Sequence, residues 1–208
     1  MRLWPAAGKT TMTWIAPLTL QGSHATLVPL THEHHDDLVD AVKDGELWNL
    51  WYTLVPTAEG MRAEIDRRLG LQKQGLMLPF TVIAKSSGKP VGMTTYHNID
   101  SANRRVSIGY TWYRQSMQRT PVNTECKFLL LRHAFESLQC IAVEFQTHFF
   151  NRTSRRAIER LGAKLDGVLR SHQVLPNGSL RDSCVYSIIA SEWPAVKANL
   201  DGLLRGGG

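Results

Sequence analysis

The chain has 208 residues, 43% of them hydrophobic and 20% charged, which is enough for one substantial core and short for two domains. Its three cysteines, Cys126, Cys140 and Cys184, are odd in number and lack C-x-x-C spacing, which argues against a disulfide framework or zinc site and suits a reducing cytoplasm. A formal net charge of +6 suggests an anionic partner, but the arginines are dispersed, with neither a basic tail nor an aromatic-studded strand pair, so nucleic acid is a weaker match than a polyanionic small ligand.

Residues 1–20 show no clear periodicity and read as a tail, with Met12 a second candidate start. Gly8-Lys9-Thr10 ends like a phosphate loop, but Leu3 stands where the loop's first glycine belongs. No apolar run approaches membrane-spanning length, and the N-terminus lacks a continuous apolar core and a small-residue cleavage site, so the expectation is a chain neither secreted nor membrane-spanning. A strand at Ala25–Leu30 leads to Thr31, the N-cap of a helix reaching about Val42. The run His32-Glu33-His34-His35-Asp36-Asp37 suits that helix's first turn, where acids complement the dipole, better than it suits a metal site. Three aromatic residues, Trp48, Trp51 and Tyr52, precede Pro56, and a second helix covers about Glu59–Gln74.

PFTVIAK, PVGMTTYHNI and RRVSIGYTWY then read as an antiparallel meander separated by turn signals. In the third strand Val106, Ile108, Tyr110 and Trp112 alternate on one face, while Gly109 marks either a bulge or room for a large neighbour. Thr120 as N-cap and Pro121 at the first position open a helix whose buried stripe is Val122, Cys126, Leu129, Leu130 and Ala134. A strand at Ile141–Thr147 follows, on which Glu144 faces opposite to Val143 and Phe145 and reads as structural. Asn151 caps the next helix, Ser154, Ala157, Ile158 and Leu161 share one face, and Gly162 stops it. Strands near Gly167–Val174 and Arg181–Ile189 flank an Asn177-Gly178 turn. The final segment SEWPAVKANLDGLL reads as a helix packing on its own domain or on a partner, and the mixed element order indicates an α+β domain.

The run N-x-x-S-x-x-A-I-x-x-L-G-A from Asn151 to Ala163, followed by Asp166, Gly167 and Arg170 as acidic-G-x-x-R, resembles the acetyl-CoA helix of the GNAT superfamily of N-acetyltransferases, in particular the RimJ/RimL-like subgroup. The resemblance extends from about Ala25 to Trp193. It implies a mixed, mostly antiparallel sheet flanked by helices, with a splayed parallel strand pair holding acetyl-CoA. The acetyltransferase domain would span 21–194, after a tail at 1–20 and before a C-terminal helix and tail at 195–208.

By the same resemblance, Gly109, Tyr110 and Thr111 lie where the thioester docks. Gln118, Arg119, Thr120, Val122, Asn123 and Thr124 occupy the pyrophosphate loop Q/R-x-x-G-x-G/A. Gln118 keeps the pattern, whereas Pro121 and Asn123 replace its glycines and reduce close backbone contacts, which puts cofactor affinity in question. Asn151 and Arg156 complete the cofactor set, and Ser154 matches the residue that donates a proton to the departing thiolate; Ile158 stands where other branches carry tyrosine. His172 lies where some relatives carry an acid and is the candidate base, and Trp48, Trp51 and Tyr52 would border the acceptor groove, although core packing also explains them. The implied activity is direct acetyl transfer to an amine, with a protein N-terminal α-amine of pKa about 8 needing less help than a lysine. A polyamine or antibiotic acceptor, or a non-catalytic acyl-CoA-binding module, are the alternatives. Relatives often dimerise, which adds a homodimer to the expectations, beside the cytoplasmic location that the cysteines suit and the absence of a metal site.

Overall fold

A computed structural model describes residues 14–206. The predicted tail is shorter than expected: Ile15 is buried in the core, the Trp14 indole donates to the Leu138 carbonyl at 3.2 Å, and the first strand, β1, already occupies Leu20–Gln21. The expectations for Met12 and Gly8-Lys9-Thr10 lie outside the described residues.

The elements continue as β2 (Ala25–Pro29), α1 (His35–Lys43), α2 (Met61–Lys73), β3 (Met77–Ala84), β4 (Pro90–Asp100), β5 (Arg105–Tyr113), α3 (Pro121–Arg132), β6 (Ala142–His148), α4 (Arg152–Arg160), β7 (Lys164–Val174), β8 (Leu180–Ile189) and α5 (Trp193–Arg205). The eight strands form one sheet in the order β1-β2-β3-β4-β5-β6-β8-β7, antiparallel except for the β5–β6 pair. Helices α1 and α2 cover one face, burying Leu38, Ala41, Val42, Met61 and Ile65 against Met93 and Trp112. The larger core lies on the other face, where α3 and α5 pack over Phe80, Val82, Ile108 and Phe145. Helix α5 buries Trp193, Val196 and Leu200 in this core, so it belongs to its own domain and crosses the boundary expected after residue 194.

The histidine run before α1 is structural. His34 Nδ1 bonds the Thr31 N–H at 3.2 Å and the Thr81 hydroxyl at 2.9 Å, and His32 pairs with Asp66 at 2.6 Å.

The alternation predicted for β5 holds only as far as Ile108. Val106 and Ile108 face α3, but Trp112 lies in the opposite core and Tyr113 returns to the α3 face. Between them, Met93 and Thr95 of β4 oppose Trp112 and Gly109, so β5 carries one extra residue and the side-chain parity inverts. The bulge is at Tyr110, whose φ of 48° is left-handed, rather than at Gly109. Gly109 is glycine for another reason: a Cβ there would stand 2.6 Å from His97 Nε2.

Candidate functional site

The parallel pairing of β5 with β6 runs only from Arg105–Ala142 to Ser107–Glu144. Beyond it the strands part, leaving their inner edges without each other as partners. Such unpaired backbone groups need hydrogen bonds from elsewhere, and an extended ligand carrying amides can supply them.

The bulge at the mouth of this notch is held from both faces of the sheet. From α2, Arg68 donates through Nη2 to the Tyr110 carbonyl at 3.0 Å and through Nη1 to Thr95 Oγ1 at 2.9 Å. Its charge is matched by Glu64 at 2.7 Å; burial opposes ionisation of Glu64, but hydrogen bonds and charge from Arg67 and Arg68 hold its pKa below the usual carboxylate range. The Tyr110 ring lies under the Arg67 guanidinium and edge-on to His97 at 5.0 Å. From α3, the Lys127 ammonium donates to Thr111 Oγ1 at 2.7 Å and to Thr94 Oγ1 at 3.2 Å. A bulge residue is left out of the ladder, so a backbone N–H in Gly109–Thr111 becomes available to a carbonyl oxygen.

Helix α3 begins one loop later. Thr120 is its N-cap and accepts from the Val122 N–H at 3.4 Å, with Pro121 at the first position. Proline has no N–H and Val122 is already bonded, so this N-terminus presents fewer free donors than a glycine-rich turn would. The side chains of Gln118 and Arg119 are exposed at this end, and Arg119 adopts a left-handed φ of 61°. Asp44 fixes the approach to the loop by accepting from Arg114 Nε at 2.8 Å and from Ser116 Oγ at 2.6 Å. Thr124, expected at the cofactor, is buried and its hydroxyl accepts from Arg160 at 2.8 Å, which ties the start of α3 to the end of α4.

Replacing Arg119 with glycine separates two roles. Relief of the left-handed backbone should raise stability by about 0.5–1 kcal/mol, while loss of the guanidinium should weaken acetyl-CoA binding by roughly three- to tenfold. Denaturant midpoints and calorimetric titration of the same sample read the two effects separately; equal acetyl-CoA affinity in both proteins would remove Arg119 from the anion site.

On α4, Asn151 Oδ1 accepts from the Ser154 N–H at 3.0 Å and so caps the helix, while Gly162, with φ of 98°, terminates it. The half-buried Ser154 hydroxyl makes no hydrogen bond among the described residues, so the local backbone does not occupy it. Arg156 is exposed, whereas Arg155 is committed to the Tyr186 hydroxyl at 3.0 Å.

Beside the notch, Ser107, Glu144, Gln146 and His148 share one open face of the sheet. Glu144 Oε1 accepts from Ser107 Oγ at 3.2 Å and from Gln146 Nε2 at 2.8 Å, in a cavity of about 430 Å³ also lined by Asn98 and Arg105. Glu144 therefore sits where the strands part, facing open space. Trp48 packs into the α1–α2 core, but Trp51 and Tyr52 reach the end of β6, with Trp51 edge-on to His148 at 5.1 Å. His172 stands apart, bonding the Ser183 hydroxyl at 3.0 Å from β7, the edge strand beyond β8. Sequence reasoning passed over Arg68, Lys127 and His148 and read Glu144 as structural. Only the alternation of β6 gave a signal, by setting Glu144 opposite Val143 and Phe145.

These residues fit an acyl-CoA: a helix N-terminus with free cations for pyrophosphate, an opened strand pair for an amide-bearing arm, and a free hydroxyl on α4. The family model described as "Acetyltransferase (GNAT) domain" matches residues 24–164. The chain is 32% identical over 110 residues to a candidate ribosomal N-acetyltransferase, YdaF, of Bacillus subtilis (strain 168), a match covering 53% of this chain and 59% of that protein. A GCN5-related N-acetyltransferase from Brucella melitensis superposes with TM-score 0.82 and 31% identity over 91% of this chain and 86% of its own. Mycobacterium smegmatis RimJ in complex with CoA-disulfide shares the fold, with TM-score 0.74 and 20% identity over 92% and 93% of the two chains. The chain belongs to the GNAT acetyltransferases, in their RimJ/RimL-like branch.

Proposed function

We propose that this protein is an acetyl-CoA-dependent N-acetyltransferase that passes the acetyl group directly to the α-amine at a protein N-terminus. The observation that carries the reading is the parting of β5 from β6 immediately beyond Ser107–Glu144, beside a left-handed bulge pinned by Arg68 and Lys127.

In this reading Gln118, Arg119 and the start of α3 hold the pyrophosphate, assisted by the exposed Arg156. The bound thioester supplies the electrophilic carbonyl carbon. The backbone at Gly109–Thr111 donates to its oxygen as negative charge develops. Glu144, held by Ser107 and Gln146 on the acceptor face, takes the proton released by the amine, and Ser154 donates to the departing sulfur. An α-amine with a pKa of about 8 is roughly one-tenth unprotonated at pH 7, about two hundredfold more than a lysine near 10.4, which leaves Glu144 less work than a lysine acceptor would. His172, two strands from the notch, is better placed to support Ser183 than to act on the amine. The protein acceptor is favoured by the Bacillus subtilis relative, a candidate ribosomal N-acetyltransferase.

Calorimetric titration with acetyl-CoA followed by assay of N-terminal peptides tests the reading. Ser154→Ala should lower turnover at least tenfold while leaving acetyl-CoA affinity within about twofold of the wild type. Absence of acetyl-CoA binding by the unmodified chain would overturn the proposal; binding without acetylation of any amine would leave a CoA-binding module.

A further inference from the structure

His148 ends β6 on the acceptor face and is only 2% exposed. Its Nδ1 accepts from the Phe150 N–H at 3.0 Å, so the neutral ring carries its proton on Nε2. Burial, followed by the charge of Arg181, lowers the His148 pKa and keeps that neutral form at pH 7. Yet Nε2 is buried without any hydrogen-bond partner among the described residues. A buried donor left unpaired is destabilising, and native structures rarely keep one without a use for it.

The surroundings define that use. The ring is sandwiched by Phe150, stacked at 5.7 Å, and Trp51, edge-on at 5.1 Å, with Tyr52 at 6.1 Å. Trp51 and Phe150 are themselves 49% and 59% exposed, one on the segment between α1 and α2 and the other in the turn after β6. A small shift of these two rings uncovers Nε2 to a ligand lying on the acceptor face. His148 is two residues beyond Gln146 on the same face, about 7 Å along the strand.

We propose that His148 is the residue that reads the acceptor, its Nε2–H donating to the first carbonyl oxygen of a peptide whose α-amine points into the notch, with the Trp51 and Phe150 rings flanking that first residue. The inference rests on the N-acetyltransferase reading and narrows its substrate. A peptide N-terminus carries a carbonyl oxygen acceptor three bonds from its amine nitrogen; a polyamine offers only further donors and positive charge, which Arg181 repels. His148 is a positioning residue here, since it touches the acceptor away from the reacting nitrogen.

The test compares two acceptors, a short peptide with a free α-amine and the matching alkylamine that lacks the first carbonyl. The unmodified enzyme should favour the peptide. His148→Phe keeps the ring and removes the donor, and should reduce kcat/KM for the peptide roughly three- to tenfold, mainly through KM, while leaving the alkylamine and the acetyl-CoA affinity unchanged. His148→Asn, which retains an N–H, should recover part of the loss. An equal loss on both acceptors, or preference for the alkylamine by the unmodified enzyme, would overturn the assignment and leave the N-acetyltransferase reading intact. Failure of the unmodified enzyme to acetylate any amine would overturn both.

Discussion

Replacing Glu125 with alanine should destabilise the protein by about 4 kcal/mol. Glu125 lies in the first turns of α3, is buried, and accepts three backbone N–H groups: Ser23 at 2.7 Å, His24 at 2.6 Å and Ala25 at 2.7 Å. These groups form the turn between β1 and β2, so one carboxylate joins the N-terminal hairpin to the helix whose N-terminus is the proposed pyrophosphate site. Alanine would leave three donors facing a small apolar gap, and each unsatisfied buried donor costs about 1–3 kcal/mol, partly recovered where water enters. Glu125→Gln retains one acceptor oxygen but aims an NH2 group at the remaining donors, so about half the loss is expected. Gly22→Ala should act through the same contact, because a Cβ at Gly22 would collide with the Glu125 carboxylate. Urea denaturation with unchanged slope is the measurement, and a thermal midpoint about 10 °C lower should accompany the alanine variant. A loss under about 1 kcal/mol would show that the turn is solvated once the carboxylate is gone.

Features with a local cause were legible in the sequence, and features with a partner far along the chain were not. Asn151 and Gly162 bracket α4 because capping and the left-handed stop act within a few residues. The three meander strands followed from alternation and turn residues in the same way. For Gly109 the sequence left open a bulge or room for a large neighbour; the neighbour is His97 on the adjacent strand, and the bulge itself falls on Tyr110, held by an arginine 42 positions earlier. Alternation placed Glu144 opposite Val143 and Phe145, as observed, yet it gives only the side of the strand. What covers that side is a tertiary property, and here the carboxylate faces an open cavity rather than a helix. The N-terminal segment was read as tail because two strand residues and one buried isoleucine leave no periodic trace. His148 is invisible for a related reason, since its unpaired nitrogen exists only once Trp51 has folded over it.

Lys127→Met should stabilise the protein at neutral pH, by about 2 kcal/mol, and the gain should vanish in alkali. Lys127 is fully enclosed on α3, with two threonine hydroxyls as its partners, and burial lowers its pKa from 10.5 to about 8. The sign follows from proton counting. Below pH 8 both folded and unfolded chains carry the ammonium, and the folded chain bears its full burial penalty, about 3 kcal/mol. From pH 8 to 10.5 the unfolded chain binds more protons than the folded one, so stability rises with pH; above that range the penalty is gone. Methionine keeps the length and shape without the charge, and Thr94 and Thr111 already bond each other at 2.8 Å, so the lost hydrogen bonds cost about 1 kcal/mol. Comparing the two proteins by urea denaturation at pH 7 and pH 10 cancels the titration of the other groups. A variant less stable than the parent at pH 7 would show that the hydroxyls more than compensate for burial. The stability gained should be matched by a loss at the site: without the ammonium, Thr111 keeps only its contacts to Thr94 and the Gly109 carbonyl, the bulge loses its anchor from α3, and KM for acetyl-CoA should rise several-fold. A penalty kept at that one place, where removing it is chemically easy, is what a geometry required by the thioester would demand.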